Sequence, residues 1–141
     1  MFTGMLRIGR DAYAQMIAHC WEGLPLEACG LLGGTSFASD AEAPVCYPTD
    51  NVARSARVYT VDPRGHLRAD RDAEDRGMTI VAVFHSHTHT AAYPSPTDVT
   101  QAPDPDWHYV LVSLSEGVPV VRSYRIVDGN ISEEPVVLLD R

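Results

Sequence analysis

Two histidines one residue apart, His85 and His87, and an aspartate eleven positions further on, Asp98, are the side chains of this sequence best suited to chemistry. The run from Met78 to Phe84 just before them is short, apolar and rich in β-branched residues, which predicts a buried strand ending in a polar loop. Side chains at i and i+2 of a strand share a face, so His85 and His87 aim two imidazoles at one spot while Ser86 faces away. Asp98 follows across a loop stiffened by Pro94 and Pro96. Two histidines and one carboxylate form a catalytic zinc set, with a fourth position left for water.

Peptide hydrolysis at such a centre also needs a general base to take a proton from water and deliver it to the leaving amine. Glu27 is the candidate, an acid directly preceding the small apolar strand Ala28 to Gly34. Read locally, Glu27 is better taken as a solvated residue at a loop end. Ser95 could supply an oxyanion donor opposite the metal. Ser95-Pro96-Thr97-Asp98 also has the spacing of a capping box, with proline at the first helical position. The two roles are compatible, because a capped turn is a rigid mount for a ligand. A cysteine hydrolase built on Cys29 is a competing reading, although a small thiol before Gly30 in an apolar strand is more often core.

These residues need elements to hold them. Tyr13, Met16, Ile17 and Cys20 fall at i, i+3, i+4 and i+7, one stripe of an amphipathic helix capped by Asp11 and stopped by Gly23 and Pro25. A polar loop is expected over 35–43, then strands near 43–47 and 57–61. Asp62-Pro63 opens a charged, mostly solvated helix ended by Gly77, with His66 as a surface residue. Runs at 107–114 and 118–127 read as strands, and Asp128-Gly129 turns the chain into a last strand over 130–139. This order predicts an α/β or α+β fold, a mixed sheet flanked by helices. His89 is read as a loop residue with substrate contact as an alternative role, His108 as packing, and His19 as having no role.

The 141 residues suit one domain spanning the chain. A net charge of −8 argues against nucleic acid and anionic membrane as partners, since both favour basic patches. Three cysteines without Cys-x-x-Cys spacing disfavour a disulfide framework and a thiolate zinc site. Reduced thiols fit a cytoplasmic setting. No signal-peptide core or membrane-length apolar run is evident.

The spacing Glu27, His85-Ser86-His87, seven residues, Ser95, two residues, Asp98 resembles the JAMM (MPN+) family of zinc isopeptidases and peptidases. Glu27-Ala28-Cys29-Gly30-Leu31-Leu32-Gly33 is similar to that family's first segment. The resemblance implies one zinc ion per chain held by His85, His87 and Asp98, with water as the fourth ligand, Glu27 as catalytic base and Ser95 as oxyanion donor. It also implies a cytidine-deaminase-like mixed sheet between helices. His108 to Ser113, Arg122 to Gly129 and Glu133 to Val136 are similar to the bacterial CysO-cysteine peptidase type. That type implies a small ubiquitin-like sulfur-carrier protein as partner, with release of cysteine or another extension from its C-terminal Gly-Gly tail. The tail, lacking side chains, is expected to lie extended against a sheet edge. A non-catalytic MPN scaffold binding a ubiquitin-like protein is the alternative.

Overall fold

The computed structural model describes residues 4–140. Its elements in order are β1 (Leu6–Gly9), α1 (Arg10–Glu22), β2 (Cys29–Phe37), β3 (Asp40–Thr49), α2 (Pro63–Asp75), β4 (Thr79–His87), α3 (Pro96–Thr100), β5 (His108–Ser113), β6 (Val120–Val127), β7 (Asn130–Glu134) and β8 (Val136–Leu139). The strands form one mixed sheet in the order β7-β6-β5-β4-β2-β3-β1-β8. The expected sheet flanked by helices is therefore the observed fold.

Pro135 decides the shape of this sheet. The run over 130–139, read from sequence as a single strand, breaks there, because proline has no N–H to give a ladder. β7 pairs with β6 at one edge, whereas β8 pairs in parallel with β1 at the other. The two edges lie one residue apart in the chain, so the eight strands must curl until their ends meet. Leu6 N–H donates to the Pro135 carbonyl at 3.0 Å and closes the seam.

The curl gives the sheet two unequal faces. On one, Met16 and Cys20 of α1 pack with Leu6, Ile8, Leu32, Phe84, Val110 and Val112. On the other, Ala69 and Ala73 of α2 pack with Leu31, Val83, Leu111 and Ile126. Two small alanines let α2 sit close while its charged remainder stays in water. Gly30 is required where β2 crosses Phe84, since a Cβ there would stand 2.5 Å from the phenyl ring.

Some local expectations change. Asp11 does not cap α1; the N-cap is Gly9, without a side-chain bond, and Asp11 lies in the first turn. Asp62 caps α2 as expected, accepting from Arg64 N–H at 3.1 Å. The loop expected over 35–43 is a hairpin, with β2 reaching Phe37 and β3 starting at Asp40. Residues 57–61 form no strand beyond one bridge from Val61 to Asn51. The Asn51 side chain takes the backbone groups that a strand would have paired: its Nδ2 donates to Val58 O, and its Oδ1 accepts from Thr60 N–H. His19 does have a role, with Nε2 within 3.0 Å of the carbonyls of Cys29 and Thr49, tying α1 to two strands.

His108 is held in a buried polar cluster: its Nδ1 meets Glu134 Oε2, which also accepts from Ser123 Oγ at 2.7 Å. Three strands are joined there, β5, β6 and β7, next to the seam. Removing one partner of a buried pair leaves the other unsatisfied. Glu134→Ala is expected to cost about 3–5 kcal/mol in urea unfolding; a loss below ~1 kcal/mol would mean that the cluster does not hold the seam.

Candidate active site

β4 is the central rail of the site. It pairs antiparallel with β2 and parallel with β5, with Cys29, His85 and Leu111 in register. The alternation along β4 sends His85 and His87 to the α2 face, together with Val83. Ser86 points the other way, and its work is to fix Glu27: Ala28 N–H donates to Ser86 Oγ, and Ser86 N–H donates to Ala28 O, both at 2.9 Å. From that anchor Glu27 turns back towards the histidines.

The loop after β4 is bound to its surroundings at three points. His87 Nδ1 donates to Ala91 O at 2.8 Å, Ser113 Oγ to Thr90 O at 2.6 Å, and Tyr124 OH to Ala92 O. It delivers the chain to α3 with the capping box formed: Ser95 Oγ accepts from Asp98 N–H at 3.0 Å, and Asp98 Oδ2 accepts from Ser95 N–H at 2.8 Å. The same Oδ2 lies 3.2 Å from His85 Nε2 and 3.1 Å from His87 Nε2, and the two nitrogens are 3.2 Å apart. His85, His87 and Asp98 are all buried and form one cluster with a potential ligand atom each.

That triangle fits a metal ion. His87 Nδ1 donates to Ala91 O, so the neutral ring carries on Nε2 the lone pair that a metal would take. Without a metal, burial of His87 is outweighed by Asp98 and Ala91, which raise its pKa and favour a proton on Nε2 shared with Asp98 Oδ2. Three potential ligand atoms converging this closely are compatible with a cation between them. A tetrahedral ion with bonds of about 2.0–2.1 Å spans ligand pairs roughly 3.4 Å apart, within a few tenths of an ångström of the observed edges. Burial holds His85 below the ordinary histidine range, which favours the neutral ligand form. Burial also opposes ionisation of Asp98, but bonds from His85, His87 and Ser95 outweigh it and hold the carboxyl well below the usual range. Tyr59 stacks on His85 with ring centroids 4.2 Å apart and fixes that imidazole from outside.

Glu27 is buried, 4% exposed, and its Oε1 has no hydrogen-bond partner among the described residues. Burial pushes its pKa up to about 7; His87 opposes this and Asp98 adds to it. Its backbone is clamped, since Glu27 N–H donates to Ser55 O at 2.8 Å and Glu27 O accepts from Asn51 Nδ2 at 3.0 Å. Asn51 and Tyr59 belong to a loop that the sequence reading took partly for a strand. The available signal was Asn51 itself, a residue whose amide competes with backbone ladders. His89 is exposed in the loop after β4 and stays out of the cluster. Cys29 is fully buried with its thiol pushed up to about 11, chiefly by burial, which is opposite to what a nucleophile needs.

Among the described residues, the strands that carry the cluster are inner strands of the sheet. β2 and β4 are paired on both sides, and the edges are β7 and β8. Two clefts flank the site. One, of about 340 Å³, is lined by Tyr59, Val61, Val83, Trp107 and the half-buried His66. The other, of about 410 Å³, is lined by Glu27, Leu26, Asp50, Asn51, Val52 and Arg54.

The model for prokaryotic homologs of the JAB domain matches residues 9–127, from the first strand to the end of β6. The chain belongs to the JAB family. This agrees with the JAMM (MPN+) resemblance drawn from the spacing of Glu27, His85, His87, Ser95 and Asp98. Among curated relatives, the CysO-cysteine peptidase of Mycobacterium tuberculosis is 42% identical over 138 residues, 97% of this chain and 93% of that protein. The desampylase of Haloferax volcanii is 33% identical over 118 residues, 80% of this chain and 84% of the relative. A solution structure of a Desulfitobacterium hafniense protein superposes with a TM-score of 0.90 at 36% identity, covering 97% of this chain and 94% of that one. Among the described residues, no helix is long and apolar enough to cross a membrane.

The folded protein holds the Glu27 proton to higher pH than the unfolded chain would. Glu27 therefore takes stability away as pH rises from about 4.5 towards about 7. With metal removed by chelator, Glu27→Gln is expected to be more stable than the parent protein at pH 8 by about 1–2 kcal/mol, allowing for screening, and equal to it at pH 4. Chemical denaturation at both pH values tests this, and equal stabilities at pH 8 would contradict the burial of an unpaired carboxyl.

Proposed function

We propose that the protein is a zinc-dependent peptidase that hydrolyses the bond after the C-terminal Gly-Gly of a small ubiquitin-like sulfur-carrier protein, releasing cysteine or a C-terminal extension. The observation that carries the reading is the convergence of His85, His87 and Asp98 beside a buried Glu27 with an unpaired oxygen. Two relatives named for peptidase and desampylase activities support the choice of reaction. One zinc per chain is held by His85 Nε2, His87 Nε2 and Asp98 Oδ2. Bound there, zinc polarises the scissile carbonyl and lowers the pKa of a water ligand to about 7.

The chain's own groups complete the reaction. Glu27, with a pKa near neutrality and Oε1 free, takes the proton from water and passes it to the leaving amine. Ser95 Oγ already accepts from Asp98 N–H, so its own O–H proton remains available to the oxyanion that forms at the attacked carbonyl. Tyr59 and the bound loop after β4 keep the imidazoles from turning. Glycines suit the substrate tail, since a chain without side chains needs the least room to approach a buried cluster. A reducing, cytoplasmic setting belongs to the same proposal and is supported by three free, buried cysteines.

The test is zinc content together with cleavage of a carrier protein bearing a C-terminal cysteine, followed by mass spectrometry. The parent protein is expected to carry one zinc and remove the terminal residue. Glu27→Gln is expected to keep zinc and lose at least about 10²-fold in kcat. Ser95→Ala is expected to lose about 10²-fold in kcat and about 1 kcal/mol of stability through its cap. Cleavage surviving chelation, or full activity in Glu27→Gln, would overturn the proposal; a protein that binds no zinc would instead be a scaffold.

A further inference from the structure

Resting on the peptidase reading above, we infer that Arg54 binds the free α-carboxylate of the residue being released, restricting the enzyme to substrates ending just beyond the cleaved bond. The leaving side of the site follows from proton transfer. Whichever group protonates the departing amine must lie beside it, so the leaving residue occupies the cleft that Glu27 lines. That cleft is the one of about 410 Å³ walled by Leu26, Asn51, Val52 and Arg54.

A terminal carboxylate entering this cleft meets Glu27 and Asp50, both acidic. The anion would be repelled unless a cation stands with them, and Arg54 is the one guanidinium among the cleft's lining residues. It makes no ion pair and no side-chain hydrogen bond with other described residues, so its donors are free for a planar, two-oxygen partner. Its backbone is also held in place. Arg54 sits in the left-handed region at φ 49°, a costly conformation for a residue with a side chain. The turn is held because Arg54 N–H donates to Asn51 O at 3.0 Å and the adjoining Ser55 O accepts from Glu27 N–H at 2.8 Å. Glu27 and Arg54 thus line one cleft from backbones that are bonded to each other. A carboxylate recognised there excludes conjugates in which the Gly-Gly carbonyl is joined to a lysine side chain within a longer protein.

The test uses the tripeptide Gly-Gly-Cys and its C-terminal carboxamide, kept reduced. Their binding to the full chain is measured by calorimetry, and cleavage is measured on carrier proteins ending in the same acid or amide. The acid form is expected to bind roughly tenfold tighter than the amide, as one charge-assisted pair allows. Arg54→Gln should erase that difference by weakening the acid alone, and Arg54→Lys should keep part of it. In cleavage, Arg54→Gln should raise KM for the acid with kcat and the amide's kinetics unchanged. Equal binding of acid and amide by the parent protein, or an unchanged ratio in Arg54→Gln, would overturn the role of Arg54. Cleavage of both carriers without preference overturns it while leaving the peptidase intact; selective binding of the acid without cleavage supports Arg54 and removes the peptidase reading.

Discussion

The site depends on one exchange of hydrogen bonds, that between Ser86 and Ala28. Ser86 is the residue that strand alternation turns away from the cluster, and it uses both its hydroxyl and its N–H to hold Ala28. Because Ala28 is locked to the residue between the two histidines, Glu27 has no freedom to drift from them. The register of β2 on β4 does the rest, bringing Cys29 opposite His85. Proton acceptor and ligands thus come from segments almost sixty residues apart yet share one rigid frame. Such preorganisation lets a general base act without a reorganisation cost at the moment of reaction.

The curled sheet makes burying these polar groups tolerable. A flat sheet would leave the ends of β2 and β4 more exposed to water, and the carboxyl of Glu27 would keep an ordinary pKa. Instead the 51–61 loop and the loop after β4 close over the strand ends, each bound down by side-chain hydrogen bonds. The resulting desolvation acts in opposite senses on two acids a short distance apart. Glu27, without a partner for Oε1, is pushed towards neutrality, whereas Asp98, ringed by donors, stays ionised. Two carboxyls with pKa values driven apart divide into one that moves protons and one that holds charge.

What the sequence revealed was local. An i, i+2 pair of histidines after an apolar run and a capping box ending in Asp98 are patterns of a few residues, and both formed as read, whereas Glu27, locally a solvated loop-end acid, is buried. What it hid was set by partners far along the chain. β1 is only four residues long and owes its existence to β3 and β8, so no periodicity announces it. Residues 57–61 alternate like a strand, but Asn51 claims their backbone groups. Pro135 did carry a readable signal, since proline disfavours an unbroken ladder, although β3 runs on through Pro44 and Pro48. Its consequence, the closing of the sheet, follows only once β8 is known to pair with β1.

The division of labour on a single oxygen is the last constraint. Asp98 Oδ2 accepts from Ser95 N–H while facing both histidines, so a helix cap and a potential metal ligand are one atom. A carboxylate in a capping box is already fixed in rotamer by local chemistry that needs no metal. The usual entropic cost of ordering a ligand side chain is therefore met when α3 forms. It also explains why a helix of five residues, too short to be stable alone, persists here: its first turn is bonded to itself and its acid is bonded to the sheet. Ser95 holds Asp98 by its side-chain oxygen while Asp98 holds the Ser95 N–H in return. A change at Ser95 therefore reaches Asp98 through the cap, and under the proposed peptidase reading it reaches the oxyanion as well, two effects that separate only where the cap is preserved.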